Sequence, residues 1–376
     1  MIKTDVLIIG ASVAGLACAA CLQQQNIPYI IIEKEGNIAE PWRNHYERLH
    51  LHTPKSLSNL PYKKFNKHIP TYPSRIDVIN YLEDYRSTFN INPAFNTEAL
   101  SITKENDHWK TTTNNEVYKS KFLIMATGAF EKPKAITLKG MQSFTGKILH
   151  SYQYKTGKDF SSQKVLVIGF GNSACEIAID LFEQGAKPSM SVRSAVNVIP
   201  RDLFGIPILK ISLLLMSKLP VKLADAIVNT LMRLKFGNLT KLGLKKKSYG
   251  VFEQIKKEQT VPLLDIGTVQ HIRRGHIKIY EDIDYIKNNT VHFIDGSKES
   301  FDAIIAAIGY CRDYTSFLHV DASRFDDLKN KINQQKYFSK DGLYFCGYWI
   351  APTGQIREIG LDAMKIAGDI KNKIKK

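Results

Sequence analysis

The chain has 376 residues, 44% of them hydrophobic, and its 52 Lys and Arg against 36 Asp and Glu give a formal net charge of +16. That length exceeds what a single core usually organises, so two domains are expected. The five cysteines, Cys18, Cys21, Cys175, Cys311 and Cys346, lack the spacing of a disulfide framework and fit a reducing cytoplasm; no apolar run reaches the roughly 20 residues of a membrane span, and the basic charge comes with no nucleic-acid motif.

Met1-Ile2-Lys3-Thr4 runs straight into an apolar strand, Asp5-Val6-Leu7-Ile8-Ile9, which leaves no room for a signal peptide and makes a cytoplasmic location the expectation. The strand enters the turn Gly10-Ala11-Ser12-Val13-Ala14-Gly15. A strand that meets a helix through such a turn aims the free N–H groups and positive dipole end of the helix at a pyrophosphate. Gly10 makes the turn, and Gly15 lets helix pack on strand. Ser12 stands where the middle glycine usually lets phosphate approach, with a hydroxyl that can donate to it. The next strand, Tyr29-Ile30-Ile31-Ile32, ends in Glu33, placed to accept hydrogen bonds from ribose hydroxyls. The unit therefore predicts FAD or NAD.

A polar connector with Pro70 and Pro73 follows, then a helical stretch from Ile76 to Phe89 and short antiparallel strands over 94–118. Phe122-Leu123-Ile124-Met125 is a strand ending in Ala126-Thr127-Gly128, a small-residue turn able to approach a nucleotide. A second glycine turn, Gly169-Phe170-Gly171-Asn172-Ser173-Ala174, follows the strand Val165-Leu166-Val167-Ile168. Here the next strand, Met190-Ser191-Val192, ends in Arg193-Ser194 without an acid. A cation at that place suits a 2′-phosphate, which favours NADPH over NADH.

Residues 203–236 are apolar and helical in pattern but are broken by Lys210, Lys218, Pro220 and Lys222. They fit a helix pair covering a substrate cleft or facing a second subunit in a homodimer, or an interfacial membrane helix. Phe301 to Ile308 and Leu343-Tyr344-Phe345-Cys346-Gly347 are later strands, and a helix spans Gly360 to Lys373. The fold expected is α/β with two Rossmann-like dinucleotide-binding domains: 1–155 and 301–376 bind FAD, and 156–300, with the helical segment 203–236, is an inserted NADPH-binding domain. Two such units suit an enzyme that passes hydride from a nicotinamide to a flavin. No metal cluster and no Ser–His–Asp set is seen, and flavin chemistry needs neither.

Between the domains, Phe144-Thr145-Gly146, His150 and Tyr154-Lys155 resemble the fingerprint of the class B flavin-containing monooxygenases: Phe, any residue, Gly, three residues, His, three residues, Tyr or Phe, Lys. Longer stretches resemble the YUCCA-like indole-3-pyruvate monooxygenases: Arg48 to Lys55, Ile69 to Pro73, Arg193 to Arg201 and Val261 to Thr268. The resemblance implies that NADPH reduces FAD and that reduced flavin and O2 form a C4a-(hydro)peroxyflavin. One oxygen atom then enters a small organic substrate, for instance a 2-oxo acid such as indole-3-pyruvate, by oxidative decarboxylation; N- or S-oxygenation is the alternative.

On the same footing Gly10, Ser12 and Gly15 would hold the FAD pyrophosphate and Glu33 its ribose. Trp42 and Arg43 would lie on FAD, and Thr127, Gly128 and Gly347 would border the flavin. Gly169, Gly171, Asn172 and Ser173 would hold the NADPH pyrophosphate, Arg193 and Ser194 the 2′-phosphate, and Tyr72 would touch the nicotinamide side. His150 and Tyr154 would be structural or cofactor-proximal. His52 stands where N-oxygenating members place an Asn beside the flavin, which makes it the candidate catalytic residue, one whose charge can switch near neutral pH; a packed loop histidine is the alternative. Two rival readings remain. Cys18-Ala19-Ala20-Cys21 has the spacing of a pyridine nucleotide-disulfide reductase, but these cysteines lie where small residues pack a helix on its sheet. A non-catalytic membrane-surface binding protein would rest on 203–236 and the basic charge.

Overall fold

The computed structural model describes residues 1–128, 132–258, 260–311, 317–319, 338–349 and 353–375. The chain divides into two compact units, one made of Met1–Asn44, Thr53–Lys132 and Cys311–Lys376, the other of His45–His52 and Pro133–Tyr310.

In the first unit the strand Ile2–Ile9 lies between Tyr29–Ile32 and Val117–Met125, parallel to both, and Leu343–Phe345 continues the parallel array beside Val117–Met125. The register pairs Ile9 with Ile32 and with Met125, so these strands end together where the glycine turn begins. Val6, Leu7, Ile8 and Ile9 are all buried, without alternation; an unbroken apolar run is what a parallel strand covered on both faces requires. The 94–118 region instead forms an antiparallel pair, Ala99–Glu105 with His108–Thr113, attached to Val117–Met125. Burial alternates along His108–Thr113, so only one of its faces is covered. The helix Val13–Gln23 is buried from Val13 to Leu22 because its Ala, Gly and Cys side chains let it lie close to its neighbours. Helix Arg75–Thr88 starts at a capping box in which Ser74 and Asp77 satisfy each other's backbone N–H groups. The chain closes with the helix Gln355–Ile374.

The second unit has its own parallel sheet, in the order Lys278–Tyr280, Lys187–Ser191, Lys164–Ile168, Ala303–Ala306, Lys147–His150. This corrects the expected domain boundaries. Lys147–His150 and Ala303–Ala306, assigned by sequence to the first domain, pair with each other in register from Ala303↔Lys147 to Ala306↔His150 and belong to the second sheet. The divisions therefore fall at 132/133 and 310/311, and the short stretch His45–His52 also joins the second unit.

The 203–236 region is a tight hairpin, Asp202–Leu203 against Ile206–Pro207, followed by helices Ile208–Lys218 and Val221–Phe236. Asp225 is buried and accepts from Phe252 N at 2.8 Å and Glu253 N at 3.1 Å, capping the helix Val251–Glu258. Among the described residues no helix is long and apolar enough to cross a membrane.

Candidate functional site

The first glycine turn is shaped by close approaches. A Cβ on Gly15 would stand 1.8 Å from Gly10 O, and one on Gly10, at φ +101°, would stand 2.8 Å from Ala126 O. Neither position can hold a side chain without moving backbone. The turn is tied to the next strand by Gly10 N donating to Ile32 O at 2.9 Å. Ser12 is the N-cap of the helix Val13–Gln23, yet its side chain makes no capping bond and the first turn carries no acid. The leading N–H groups of the helix thus stay available to an anion. Glu33 Oε2 accepts from Ala11 N at 2.7 Å and Oε1 from Glu35 N at 3.1 Å, so its carboxylate is fixed at the edge of the turn with lone pairs to spare.

The other residues expected at this site converge from separate strands. A Cβ on Gly347 would lie 3.4 Å from Ala14 Cβ, which places the end of Leu343–Phe345 against the start of the nucleotide helix. The Thr127 hydroxyl is hydrogen-bonded to the Tyr348 hydroxyl, and a Cβ on Gly128 would meet nothing within 4 Å among the described residues. Gln355 Nε2 donates to Gly347 O at 3.2 Å. This set fits a dinucleotide: an uncapped helix start, a fixed carboxylate and an open glycine at the ends of three parallel strands. Trp42 and Arg43 close the short helix Glu40–Arg43. The Arg43 guanidinium is engaged by Glu83 and by Ile38 O, and Arg75 donates to Arg43 O at 2.7 Å. Arg43 therefore braces its own helix. Tyr72 is half-buried in the loop just before Ser74.

The second turn repeats the geometry. Gly169 has φ +115° and a Cβ there would stand 2.7 Å from Ala307 O, while one on Gly171 would meet nothing within 4 Å among the described residues. Gly171 is the N-cap of the helix Asn172–Glu183, which has no side-chain cap and no acid in its first turn. Asn172 Oδ1 accepts from Leu264 N at 2.9 Å, so its side-chain oxygen anchors the strand Leu263–Asp265. Ser173 is half-buried in that first turn. Arg193 and Ser194 are exposed just past Lys187–Ser191, where the sequence places a 2′-phosphate.

The fingerprint residues serve the second unit. A Cβ on Gly146 would stand 2.1 Å from Asp302 O, so a side chain would force apart the pairing of Lys147–His150 with Ala303–Ala306. Phe144 is buried beneath that pair. His150 Nε2 lies 3.1 Å from Gly309 O, and Tyr152 N donates to Nδ1 at 3.1 Å. A carbonyl on one nitrogen and an N–H on the other define the neutral tautomer with the proton on Nε2. Burial lowers the His150 pKa in the same sense. Tyr154 donates to Asp180 Oδ2 at 2.5 Å, and Lys155 O accepts from Glu47 N at 2.9 Å.

The sequence reading missed a buried network along the second nucleotide helix. Glu176, Asp180 and Glu183 stand four and three residues apart on one face. Glu176 is 1% exposed; it accepts from Tyr46 OH at 2.6 Å and lies 3.6 Å from His52 Nε2 and 3.9 Å from Arg48. Arg48 forms a fork onto Glu183 at 2.8 and 3.0 Å. Asp180 accepts from Tyr154 and, at 2.9 Å, from Gly157 N. Burial pushes the Glu176 carboxyl up, but His52, Tyr46 and Arg48 outweigh it and hold the group below its ordinary range. Burial and the neighbouring Glu176 raise the Tyr46 phenol well above its own. The network places His52 on the second nucleotide helix, with a buried Nδ1 that has no hydrogen-bond partner among the described residues. A signal was legible: acids at helical spacing on a helix whose other buried positions are apolar.

Cys18 and Cys21 are both buried. A hydrogen bond with Cys346, together with burial, keeps Cys18 protonated, and burial pushes Cys21 up to about 12. Neither has the thiolate character of a redox cysteine.

A family profile described as "Pyridine nucleotide-disulphide oxidoreductase" matches residues 7–202. The chain is 35% identical over 370 residues to an indole-3-pyruvate monooxygenase, YUCCA1, of Oryza sativa subsp. japonica, covering 97% of this chain and 90% of that protein. It is 36% identical over 380 residues to indole-3-pyruvate monooxygenase YUCCA6 of Arabidopsis thaliana, covering 98% and 90%. In fold it is similar to a flavin-containing monooxygenase from Stenotrophomonas maltophilia, with a TM-score of 0.73 at 18% identity over the whole of both chains.

Proposed function

This chain belongs to the flavin monooxygenase family that contains the YUCCA indole-3-pyruvate monooxygenases, and on that premise we propose that it converts a 2-oxo acid of the indole-3-pyruvate kind to the acid one carbon shorter. It is an FAD-dependent, NADPH-consuming oxidoreductase. In the proposed reaction the bond between the two carbonyl carbons breaks and the carboxyl group leaves as CO2. One atom of O2 enters the new carboxylate, and the other leaves as water with the electron pair of NADPH. Bound FAD supplies hydride acceptance and oxygen activation.

The chain's own residues would bind and orient. The N–H groups following Gly10 and Ser12, with Gly15 beneath them, would hold the FAD pyrophosphate, and the fixed Glu33 carboxylate would accept from its ribose. Thr127, Gly128 and Gly347 would border the flavin, with Trp42 and Tyr72 as further contacts. The turn Gly169 to Ser173 would hold the NADPH pyrophosphate. Arg193 and Ser194 would pair with the 2′-phosphate through charge-assisted hydrogen bonds. His52, with Glu176 behind Nε2, is the candidate for holding or moving a proton, through Nδ1.

What carries the reading is the contrast between the two turns: a carboxylate follows the first and an exposed cation follows the second. N- or S-oxygenation is the alternative within the same chemistry. A cytoplasmic location is supported by the cysteines, which are unpaired among the described residues. The test is NADPH oxidation by the FAD-loaded protein under O2 with indole-3-pyruvate, products identified by mass spectrometry. Indole-3-acetate formed in step with NADPH consumption is the expected result. Hydrogen peroxide alone would reject this substrate, and oxygenation confined to amines or sulfides would favour the alternative.

A further inference from the structure

The 203–236 segment carries more apolar surface than its own packing uses. Helix Val221–Phe236 buries Ala224, Val228, Met232 and Phe236 in the core of the second unit. At about 100° per residue, Leu223, Ile227 and Leu234 fall within roughly 40° of one another on the opposite side. They are 50%, 37% and 80% exposed. A helix that serves only its core carries polar residues there.

The hairpin before it ends in the same way. Phe204 and Gly205 link Leu203 to Ile206, and both have positive φ, +52° and +75°. A two-residue turn of that kind selects Asn, Asp or Gly, and a bulky side chain there is strained. Phe204 nevertheless occupies it, 87% exposed, with Ile206 beside it 50% exposed. An aromatic ring held at a strained tip, in water, gains nothing from folding.

The charge on the segment is one-sided. Lys210, Lys218, Lys222, Arg233 and Lys235 are exposed, and the single acid between Phe204 and Gly237 is Asp225, buried as a helix cap. Lys222 and Arg233 flank the Leu223–Ile227–Leu234 stripe on one side and Lys235 on the other, where their stems can lie on apolar surface and their charges reach outward. A second copy of this chain, itself at +16, would set cation against cation at such a contact. We propose that Phe204, Leu223, Ile227 and Leu234 insert into the surface of an anionic lipid bilayer, with the flanking Lys and Arg on its headgroups; the chain lies on the membrane without spanning it. The proposal does not depend on the substrate assigned above.

The full-length FAD-loaded protein would be floated with vesicles of phosphatidylcholine alone and of phosphatidylcholine mixed with phosphatidylglycerol, at low and high ionic strength. Flotation with the anionic vesicles only, reduced by salt, is expected. A Phe204→Ser/Leu234→Ser double variant should partition at least about tenfold more weakly. Both side chains are exposed, so its FAD content, melting temperature and NADPH oxidation in solution should be unchanged. Wild-type protein that ignores anionic vesicles, or a double variant that floats like the wild type, would overturn the proposal. So would a concentration-dependent dimer in light scattering that the double variant abolishes, since the face would then belong to a second copy.

Discussion

Replacing Glu176 by Gln tests whether the buried charge, and not only its shape, holds the His45–His52 stretch on the second nucleotide helix. Gln preserves the volume and one acceptor for Tyr46 OH, now at 2.6 Å from a carboxylate. A hydrogen bond to a charged acceptor contributes about 1.5–3 kcal/mol and a neutral one about 0.5–1.5, so roughly 1–1.5 kcal/mol is lost there. The new amide donor also faces His52 Nε2 and Arg48 in place of a carboxylate. Arg48 keeps its fork onto Glu183, which spares the larger cost of an orphaned buried charge. The total is about 2 kcal/mol, or about 4–8 °C for a unit of this size. The tryptophans, Trp42, Trp109 and Trp349, all lie in the first unit, so calorimetry is the assay. The pH dependence gives a second check. The Glu176 pKa in the folded protein lies below its ordinary 4.5, so its stabilisation is complete above that pH and is lost as pH falls through the folded value. The gap between wild type and variant should be widest near neutrality and close below pH 4.5. Equal melting at neutral pH, or a gap that persists undiminished in acid, would refute the charge argument.

Arg193→Ser should weaken NADPH binding about ten- to hundredfold and leave NADH binding nearly unchanged; equal loss for both nucleotides in KM measurements would remove Arg193 from the 2′-phosphate. Gly146→Ala must displace Asp302 O from 2.1 Å and should cost at least about 1–3 kcal/mol, seen as a lower denaturation midpoint of the second unit; an unaltered midpoint would contradict the strand geometry. Cys18→Ala/Cys21→Ala should keep NADPH oxidation, because both thiols are buried and protonated; loss of turnover at full FAD content would restore a disulfide-exchange role.

Both glycine turns were legible because each depends on short-range facts: an apolar strand, residues that a Cβ would push into backbone, and a charge at the end of the next strand. The domain boundaries were less so. A parallel strand such as Lys147–His150 declares its type locally but not its neighbour, and pairing with Ala303–Ala306 across more than a hundred intervening residues leaves no local trace. The same distance hid the buried network. Glu176 reads as an ordinary helix acid until Tyr46, Arg48 and His52, from a stretch whose flanking residues belong to the other unit, are laid on it. Arg43 is a further case. The family resemblance set it, with Trp42, on FAD, and the structure adds that its guanidinium pairs with Glu83, forty residues on, which nothing local announced.

The fingerprint residues are built into the framework of the second unit. Gly146 permits a strand pairing, His150 is fixed neutral between Gly309 O and Tyr152 N, Tyr154 meets the buried Asp180, and Lys155 accepts from Glu47 N through its carbonyl while its ammonium lies over the Tyr152 ring. Two of these contacts tie the connector ahead of the second glycine turn to elements that shape that turn: Gly309 follows the strand beside Val165–Ile168, and Asp180 lies on the helix the turn begins. Their service is to hold a nucleotide helix at a fixed place on its sheet, and a helix start binds a phosphate only if its N–H groups are already aimed when the phosphate arrives. A chain that depends on a bound nicotinamide therefore needs this latch as much as it needs the glycines. That is a physical reason for so specific a pattern to sit immediately before the second turn.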